Sequence, residues 1–212
     1  MPLLESRYLP EQVSLAIWKI EEDDQYFLRL LDLTKEEEEE VNTLKGRRKT
    51  EWLASRWCWN ALAKDLDHGP IVKDEFGKPC IKNSNWHMSI SHTHEYTAVI
   101  TAPLLVGIDI QKKVEKITRL AKKFLNDNEQ EQVELSATPI DHLHVYWGAK
   151  ESLYKAWGRK SMDFKQNLFV RPFNLELGTS KGTVEKEGLL EFDIRFEINP
   201  AYVLVYAVER HQ

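Results

Sequence analysis

Three strand-like runs follow one another between residues 86 and 110, and they commit the chain to a β-sheet before anything else. Residues 86–91 and 96–102 are rich in apolar and β-branched side chains and are joined by the polar segment His92-Thr93-His94-Glu95. Residues 104–110 continue as a third run, and short runs of this kind between polar breaks read as strands. An earlier strand is expected at 13–20 and a closing hairpin at 189–198 and 202–208, turning at Asn199-Pro200. Helices are expected between these strands. Thr34 followed by Glu37 matches a capping box, and Glu36 to Glu40 crowd a first turn, where the helix dipole favours negative charge. One helix, or two broken near Gly46, should reach about Leu66. Turns follow at Asp67-His68-Gly69-Pro70 and Phe76-Gly77-Lys78-Pro79, with Ile71-Val72 extended between them. Two more helices are expected at 116–135 and 142–157, with Thr138-Pro139 breaking the chain between them. The two halves therefore look alike in kind, each with strands around a helix.

The bulk properties narrow the partners. A chain of 212 residues suffices for one large domain or two small ones. No apolar run is long enough to span a bilayer, and the first residues lack a basic and apolar leader. No membrane partner is expected. Cys58 and Cys80 form no CxxC motif, so neither a disulfide scaffold nor a cysteine metal site is expected, and a reducing cytoplasm fits best. The net charge of −5 argues against a nucleic-acid binder. The charge is uneven, however. Lys112, Lys113, Lys116, Arg119, Lys122 and Lys123 crowd a short stretch in which Glu115 is the one acid.

Four segments carry candidate chemistry, and each has a plain structural alternative. Val106-Gly107-Ile108-Asp109-Ile110-Gln111 sets an acid at the end of an apolar strand, which is costly unless it meets solvent, a cation or a donor. Alone, it reads as a strand-ending turn. In Trp147-Gly148-Ala149-Lys150-Glu151-Ser152-Leu153-Tyr154-Lys155-Ala156-Trp157, an apolar stripe leaves Glu151 and Lys155 one turn apart on another face. That pair is either a surface ion pair or a carboxylate and ammonium facing a cleft. Ser89-Ile90-Ser91-His92 puts a histidine at a strand end, where it can bind phosphate or sit on the surface. His92-x-His94 and His142-x-His144 are weak zinc patterns. Arg47, Arg48, Lys49, Arg56 and Lys78 either solvate the surface or converge on phosphate.

The order of these segments is more telling than any one of them. Gly77-Lys78-Pro79, then the Ser89–His92 run, then the Asp109 strand, then the Lys150–Lys155 helix resembles the signature of the 4′-phosphopantetheinyl transferases, in their single-chain Sfp-type branch. Residues 48–56 resemble the family's N-terminal half, and 121–125 with Glu129 resemble the segment between its later motifs. The resemblance implies an α+β fold of two similar α/β subdomains related by a pseudo-twofold, with the active site at their interface. It divides the chain into 1–105, holding coenzyme A phosphate contacts, and 106–212, holding a metal site and a carrier-docking helix. It implies transfer of the phosphopantetheine arm of coenzyme A, the co-substrate, to a serine of an apo acyl or peptidyl carrier protein. Mg²⁺ (or Mn²⁺) would be held by Asp109 and Glu151, with Gln111, standing where many relatives have a glutamate, as a weaker third ligand. Glu151 and Lys155 would be catalytic, and Arg47, Arg48, Lys78, Pro79, Ser91, His92 and Lys155 would hold coenzyme A. A monomer suffices, because both halves of the site lie in one chain. The alternative is a non-catalytic member that binds coenzyme A or a carrier protein, and a less favoured one is an unrelated Mg²⁺ phosphohydrolase.

Overall fold

The protein, described here as a computed structural model over residues 4–64 and 69–210, is α+β. Leu66 and the Asp67-His68 part of the expected turn lie outside the described residues. The first half contains β1 (Leu4–Leu9), β2 (Val13–Lys19), α1 (Asp24–Leu30), α2 (Lys35–Thr43) and α3 (Arg47–Ala63), then a small ribbon of β3 (Ile71–Lys73) and β4 (Pro79–Ile81), then β5 (His87–Thr93) and β6 (Tyr96–Ala102). The second half contains β7 (Val106–Gln111), a 3₁₀ turn (Glu115–Arg119), α4 (Ala121–Phe124), α5 (Asp127–Glu134), α6 (Pro139–Trp157), β8 (Leu168–Val170), β9 (Thr179–Glu185), β10 (Leu189–Ile198) and β11 (Val203–Glu209), with a further 3₁₀ turn at Leu175–Leu177. Two antiparallel sheets result, ordered β1-β2-β6-β5 and β7-β11-β10-β9-β8.

Each sheet carries one long helix. Leu53, Cys58, Trp59 and Leu62 of α3 bury against Ala16, Trp18, Met88 and Val99 of the first sheet. Tyr146, Ala149, Leu153 and Ala156 of α6 bury against Ile194, Val203, Val205 and Ala207 of the second. Because strand side chains alternate faces, the intervening residues point the other way. Leu15, Ile17, Ala98 and Ile100 join Ile108, Ile110, Leu204 and Tyr206 in a third core shared by both sheets. Arg7 on β1 also pairs with Glu197 on β10. The two halves thus repeat one plan, a helix across an antiparallel sheet. Among the described residues, no helix is long and apolar enough to cross a membrane.

Local chemistry sets the helix ends. Thr34 and Glu37 form the expected capping box, and Asn126 and Glu129 form a second one at α5. Gly46, at φ 54°, separates α2 from α3. Pro139 lies in the first turn of α6 and Gly158, at φ 78°, ends it. The Asn126 cap explains a departure from expectation. Residues 116–135 are not one helix but a 3₁₀ turn, α4 and α5, with Leu125 extended before the cap. The expected carrier-docking helix is therefore a looped basic segment. β1, α1, β8 and β9 were not expected. β1 is an edge strand with three consecutive polar residues, Glu5-Ser6-Arg7, and β9 contains Lys181-Gly182-Thr183, so neither shows an apolar run.

Candidate active site

The site forms along the seam between β5 and β7, two strands that are not hydrogen-bonded to each other as a ladder. Serine hydroxyls bridge them instead. Ser89 Oγ accepts the Ile108 N–H at 3.2 Å, and Ser91 Oγ accepts the Ile110 N–H at 3.1 Å. Two edge strands are thereby tied without a continuous backbone ladder, and the side chains between them stay available. Ser91 also donates to Asp109 Oδ1 at 3.2 Å.

Helix α6 reaches this seam because Gly107 lets it pack backbone to backbone against β7. Lys155 Nζ then lies 2.9 Å from the Ile108 carbonyl oxygen, 3.0 Å from Ser91 Oγ and 3.0 Å from Asp109 Oδ1. Three acceptors use up an ammonium's three donors. Glu151, one turn earlier on the helix, is half-buried, and its carboxyl is held above the usual range by burial and by the nearby Asp109 charge, partly offset by Lys155. Ser91, Asp109, Glu151 and Lys155 thus converge from three elements.

Gln111, the last residue of β7, lies on the same face as Asp109. Its amide nitrogen donates to Asp109 Oδ2 at 3.0 Å and to the His144 carbonyl oxygen at 3.1 Å, while its oxygen faces His144 Nδ1 at 2.7 Å. Toward Asp109, therefore, it presents a donor and not an oxygen.

The first half adds a cluster of mixed charge. Glu51 on α3 lies 3.2 Å from His92 Nδ1 and 3.4 Å from Arg47 Nε. Burial is the main cause holding the His92 imidazole below its ordinary range, with Lys155, Arg48 and Arg47 acting in the same direction against Glu51. Among the described residues, Arg47 Nη2 is buried without a hydrogen-bond partner, which leaves a donor for an anion, while Nε keeps only the Glu51 ion pair. Lys78 and Pro79 line a cavity of about 190 Å³ with Ser89, Tyr154, Lys155 and Lys160. Lys78 Nζ is pulled down to about 8 by burial, and it donates to the Ala156 carbonyl oxygen at 2.7 Å, closing the end of α6. Arg56 is placed elsewhere. It is buried 3.6 Å above the Trp52 ring, with Glu37 and Glu40 each 3.9 Å away.

The zinc patterns do not assemble. His142 bonds Ser136 and stacks on Phe173, whereas His144 faces Gln111. Among the described residues, no three His, Cys, Asp or Glu side chains group to hold a metal. Sequence reading gives Glu51 and Ser89 no individual role and offers His144 only as part of a weak zinc pattern. Ser89 could have been found from its period-2 spacing to Ser91, but the other two depend on long-range packing.

The model of the 4′-phosphopantetheinyl transferase N-terminal domain matches residues 36–102, and that of the 4′-phosphopantetheinyl transferase superfamily matches 105–200. The chain belongs to the 4′-phosphopantetheinyl transferase superfamily. It is similar to the 4′-phosphopantetheinyl transferase gsp of Aneurinibacillus migulanus, at 32% identity over 89 residues, covering 41% of this chain and 37% of that protein. It is similar to the 4′-phosphopantetheinyl transferase Sfp of Bacillus subtilis, at 24% over 138 residues, covering 64% of this chain and 56% of that one. The chain therefore spans about half or less of the length of these curated relatives. The solved structure of Thermotoga maritima holo-(acyl-carrier-protein) synthase matches at a TM-score of 0.43 and 17% identity, over 51% of this chain and 64% of that one.

Proposed function

We propose that this chain transfers the 4′-phosphopantetheine arm of coenzyme A to a serine of an apo acyl or peptidyl carrier protein and releases 3′,5′-ADP. The convergence of Asp109, Glu151, Lys155 and Ser91 at the seam between the halves supports this reading most directly. Such a group combines charge stabilisation with a carboxylate able to take a proton.

In the reaction, the serine oxygen of the carrier bonds to the phosphorus next to the pantetheine, and the bond from that phosphorus to the bridging oxygen of 3′,5′-ADP breaks. Lys155, whose three donors are held by Ile108, Ser91 and Asp109, would hold negative charge on the phosphates and donate a proton to the leaving oxygen once substrate replaces one of these acceptors. Glu151, whose carboxyl sits above its usual range, is placed to accept the serine proton directly or through water. His92, with Arg47 and Arg48, would hold the phosphates of the adenosine end, and the buried Arg47 Nη2, which has no hydrogen-bond partner among the described residues, suits an anion. Lys78 and Pro79, which line the cavity on the other side of Ser89 and Lys155, would hold the remainder of coenzyme A.

The donors present fit Mg²⁺ (or Mn²⁺). Asp109 and Glu151 offer hard oxygen ligands, and burial together with the nearby Asp109 charge raises the Glu151 carboxyl. Bound there, the ion would neutralise developing charge on the pyrophosphate. Gln111, which turns its nitrogen toward Asp109, would offer the ion no oxygen, so water and substrate would have to complete its shell.

The test is intact-protein mass spectrometry of an apo carrier incubated with this protein, coenzyme A and Mg²⁺. A gain of one phosphopantetheine arm, lost with chelator or with Glu151→Ala, is the expected result. No gain across fatty-acid, polyketide and peptide carriers, with coenzyme A still bound, would favour the non-catalytic binder. Phosphate release without a carrier would point to a hydrolase.

A further inference from the structure

We infer that Gln111 and His144 act as a positioning pair that aims the Asp109 carboxylate. This inference rests on the metal-dependent transfer reading above and adds two residues that touch neither coenzyme A nor the reacting atoms.

The hydrogen bonds can run in only one direction. Asp109 Oδ2 and the His144 carbonyl can only accept, so the Gln111 nitrogen must face both, at 3.0 and 3.1 Å. The Gln111 oxygen is then left to accept, and His144 Nδ1, 2.7 Å away, must donate. That leaves His144 Nε2 to accept the Val114 N–H at 2.9 Å, although the Val114 carbonyl is also near, at 3.1 Å. A relay therefore runs from the Val114 amide through imidazole and carboxamide to Asp109. His144 is 1% exposed, so water does not compete for it.

Packing holds the relay in place. A Cβ on Gly148 would lie 2.8 Å from Gln111 Nε2 and 2.6 Å from Val205 Cγ2, so that glycine makes room for the carboxamide. His144 stands two turns before Glu151 on the same face of α6, and Gln111 stands two residues after Asp109 on the same face of β7. One helix thus delivers both a reacting carboxylate and the support for the other one. A carboxamide here holds Asp109 without adding charge, whereas a carboxylate would oppose it. The Gln111 oxygen is committed to His144, so this chain supplies two carboxylates to the metal and not a third oxygen.

The test uses the full-length protein with Mn²⁺ and Mg²⁺ titrations by calorimetry, transfer kinetics, and ¹⁵N NMR of the histidine rings. His144→Ala and Gln111→Leu should each weaken divalent-ion binding about tenfold, in the range for groups that orient a metal ligand. Each should lower kcat while leaving KM for coenzyme A near its original value. The double variant should be no worse than either single, because the two residues act as a unit. His144→Asn, which can restore a donor at the same place, should recover most of the loss. NMR should show an Nδ1-protonated neutral ring in the unmodified protein. Should His144→Ala fail to fold, Gln111→Leu reads the same relay. Additive losses, or unchanged ion binding in folded Gln111→Leu, would overturn the inference while leaving the transferase reading standing. An unmodified protein that neither binds the ion nor transfers the arm would overturn both.

Discussion

The carbonyl oxygen of Ser152 stands only 1.8 Å from the point where a Cβ on Gly107 would be. Helix α6 and strand β7 therefore meet backbone to backbone. Ser152 Oγ also donates to the Val205 carbonyl at 3.0 Å, fixing the helix on β11 as well. This contact sets how near Glu151 and Lys155 come to Asp109. Gly107→Ala must push strand and helix apart, and neither is a flexible side chain. A loss of about 3 kcal/mol is expected, at the upper end for overpacking, or a drop of about 6–12 °C in unfolding midpoint for a chain of this size. Transfer should fall even at temperatures where the variant is fully folded. A midpoint within about 2 °C of the original would mean the backbone contact is looser than described.

The two lysines of the α6 motif separate cleanly by environment. Lys150 is fully buried and lies 2.6 Å from Glu129 Oε2, with the carbonyls of Phe124 and Phe164 at 2.7 and 2.9 Å. Lys155 reaches the site and keeps a quarter of its side chain exposed. Lys150→Met should destabilise the fold by about 3–5 kcal/mol, because Glu129 is left as an unpaired buried charge. Lys150→Met with Glu129→Gln should recover part of that loss. Lys155→Met should unfold near the original denaturant midpoint yet slow transfer by about a hundredfold or more. Denaturant unfolding and carrier mass gain, measured on the same preparations, decide it. Similar stability losses for both variants would refute the division.

Much of this site is visible in the sequence because its residues lie in ordered runs. Spacing sets Glu151 and Lys155 on one helix face and Asp109 near the end of an apolar strand, but it is the order of the motifs, through the family resemblance, that joins the three. Spacing did not show that Ser89 and Ser91 bridge two sheets, because that depends on β5 meeting β7 across the seam between the halves. It did not show that Lys78 closes α6, a contact with Ala156 far along the chain. Gln111 read as a weak metal ligand because its partner His144 is 33 residues away in sequence and adjacent only after folding. The basic helix was misread for a local reason. The Asn126 capping box ends one helical stretch and starts the next, and an apolar pattern continuing through Leu125 conceals the break.

Acid should weaken the fold through its buried histidines. Burial is the main cause holding His144 and His87 below the ordinary histidine range. In the unfolded chain both would titrate near about 6.5. Between that value and the lower folded value, the unfolded state binds more protons, so stability rises with pH across the window and is lost as pH falls through it. The unfolding midpoint should therefore be flat above about pH 7 and decline toward pH 5.5. Charging His144 would also cost the Val114 N–H its acceptor. His144→Asn should flatten the decline, as read by thermal unfolding across buffers of matched ionic strength. An unchanged slope in that variant would remove His144 as a contributor.

Carrier docking should depend on salt through the segment after β7. Lys112, Lys113, Lys116, Arg119, Lys122 and Lys123 are all exposed, while Ile117 and Phe124 anchor the segment in the core of the second half. Lys113 is engaged with Asp141 at 2.9 Å, which leaves the others as the better candidates for an acidic partner. Raising ionic strength from about 0.1 M to about 1 M shortens electrostatic reach from about 10 Å to about 3 Å. KM for an acidic apo carrier should rise steeply over that range, because steering by complementary charge acts mainly on encounter. Coenzyme A is also an anion, so salt alone does not separate the two sites. Lys116→Glu with Arg119→Glu does. That variant should raise KM for the carrier about tenfold at low salt and flatten its salt dependence, while KM for coenzyme A keeps its original value and slope. A shift in both KM values together would place these cations at the coenzyme A site, and a shift in neither would mean the basic segment is a solvated face.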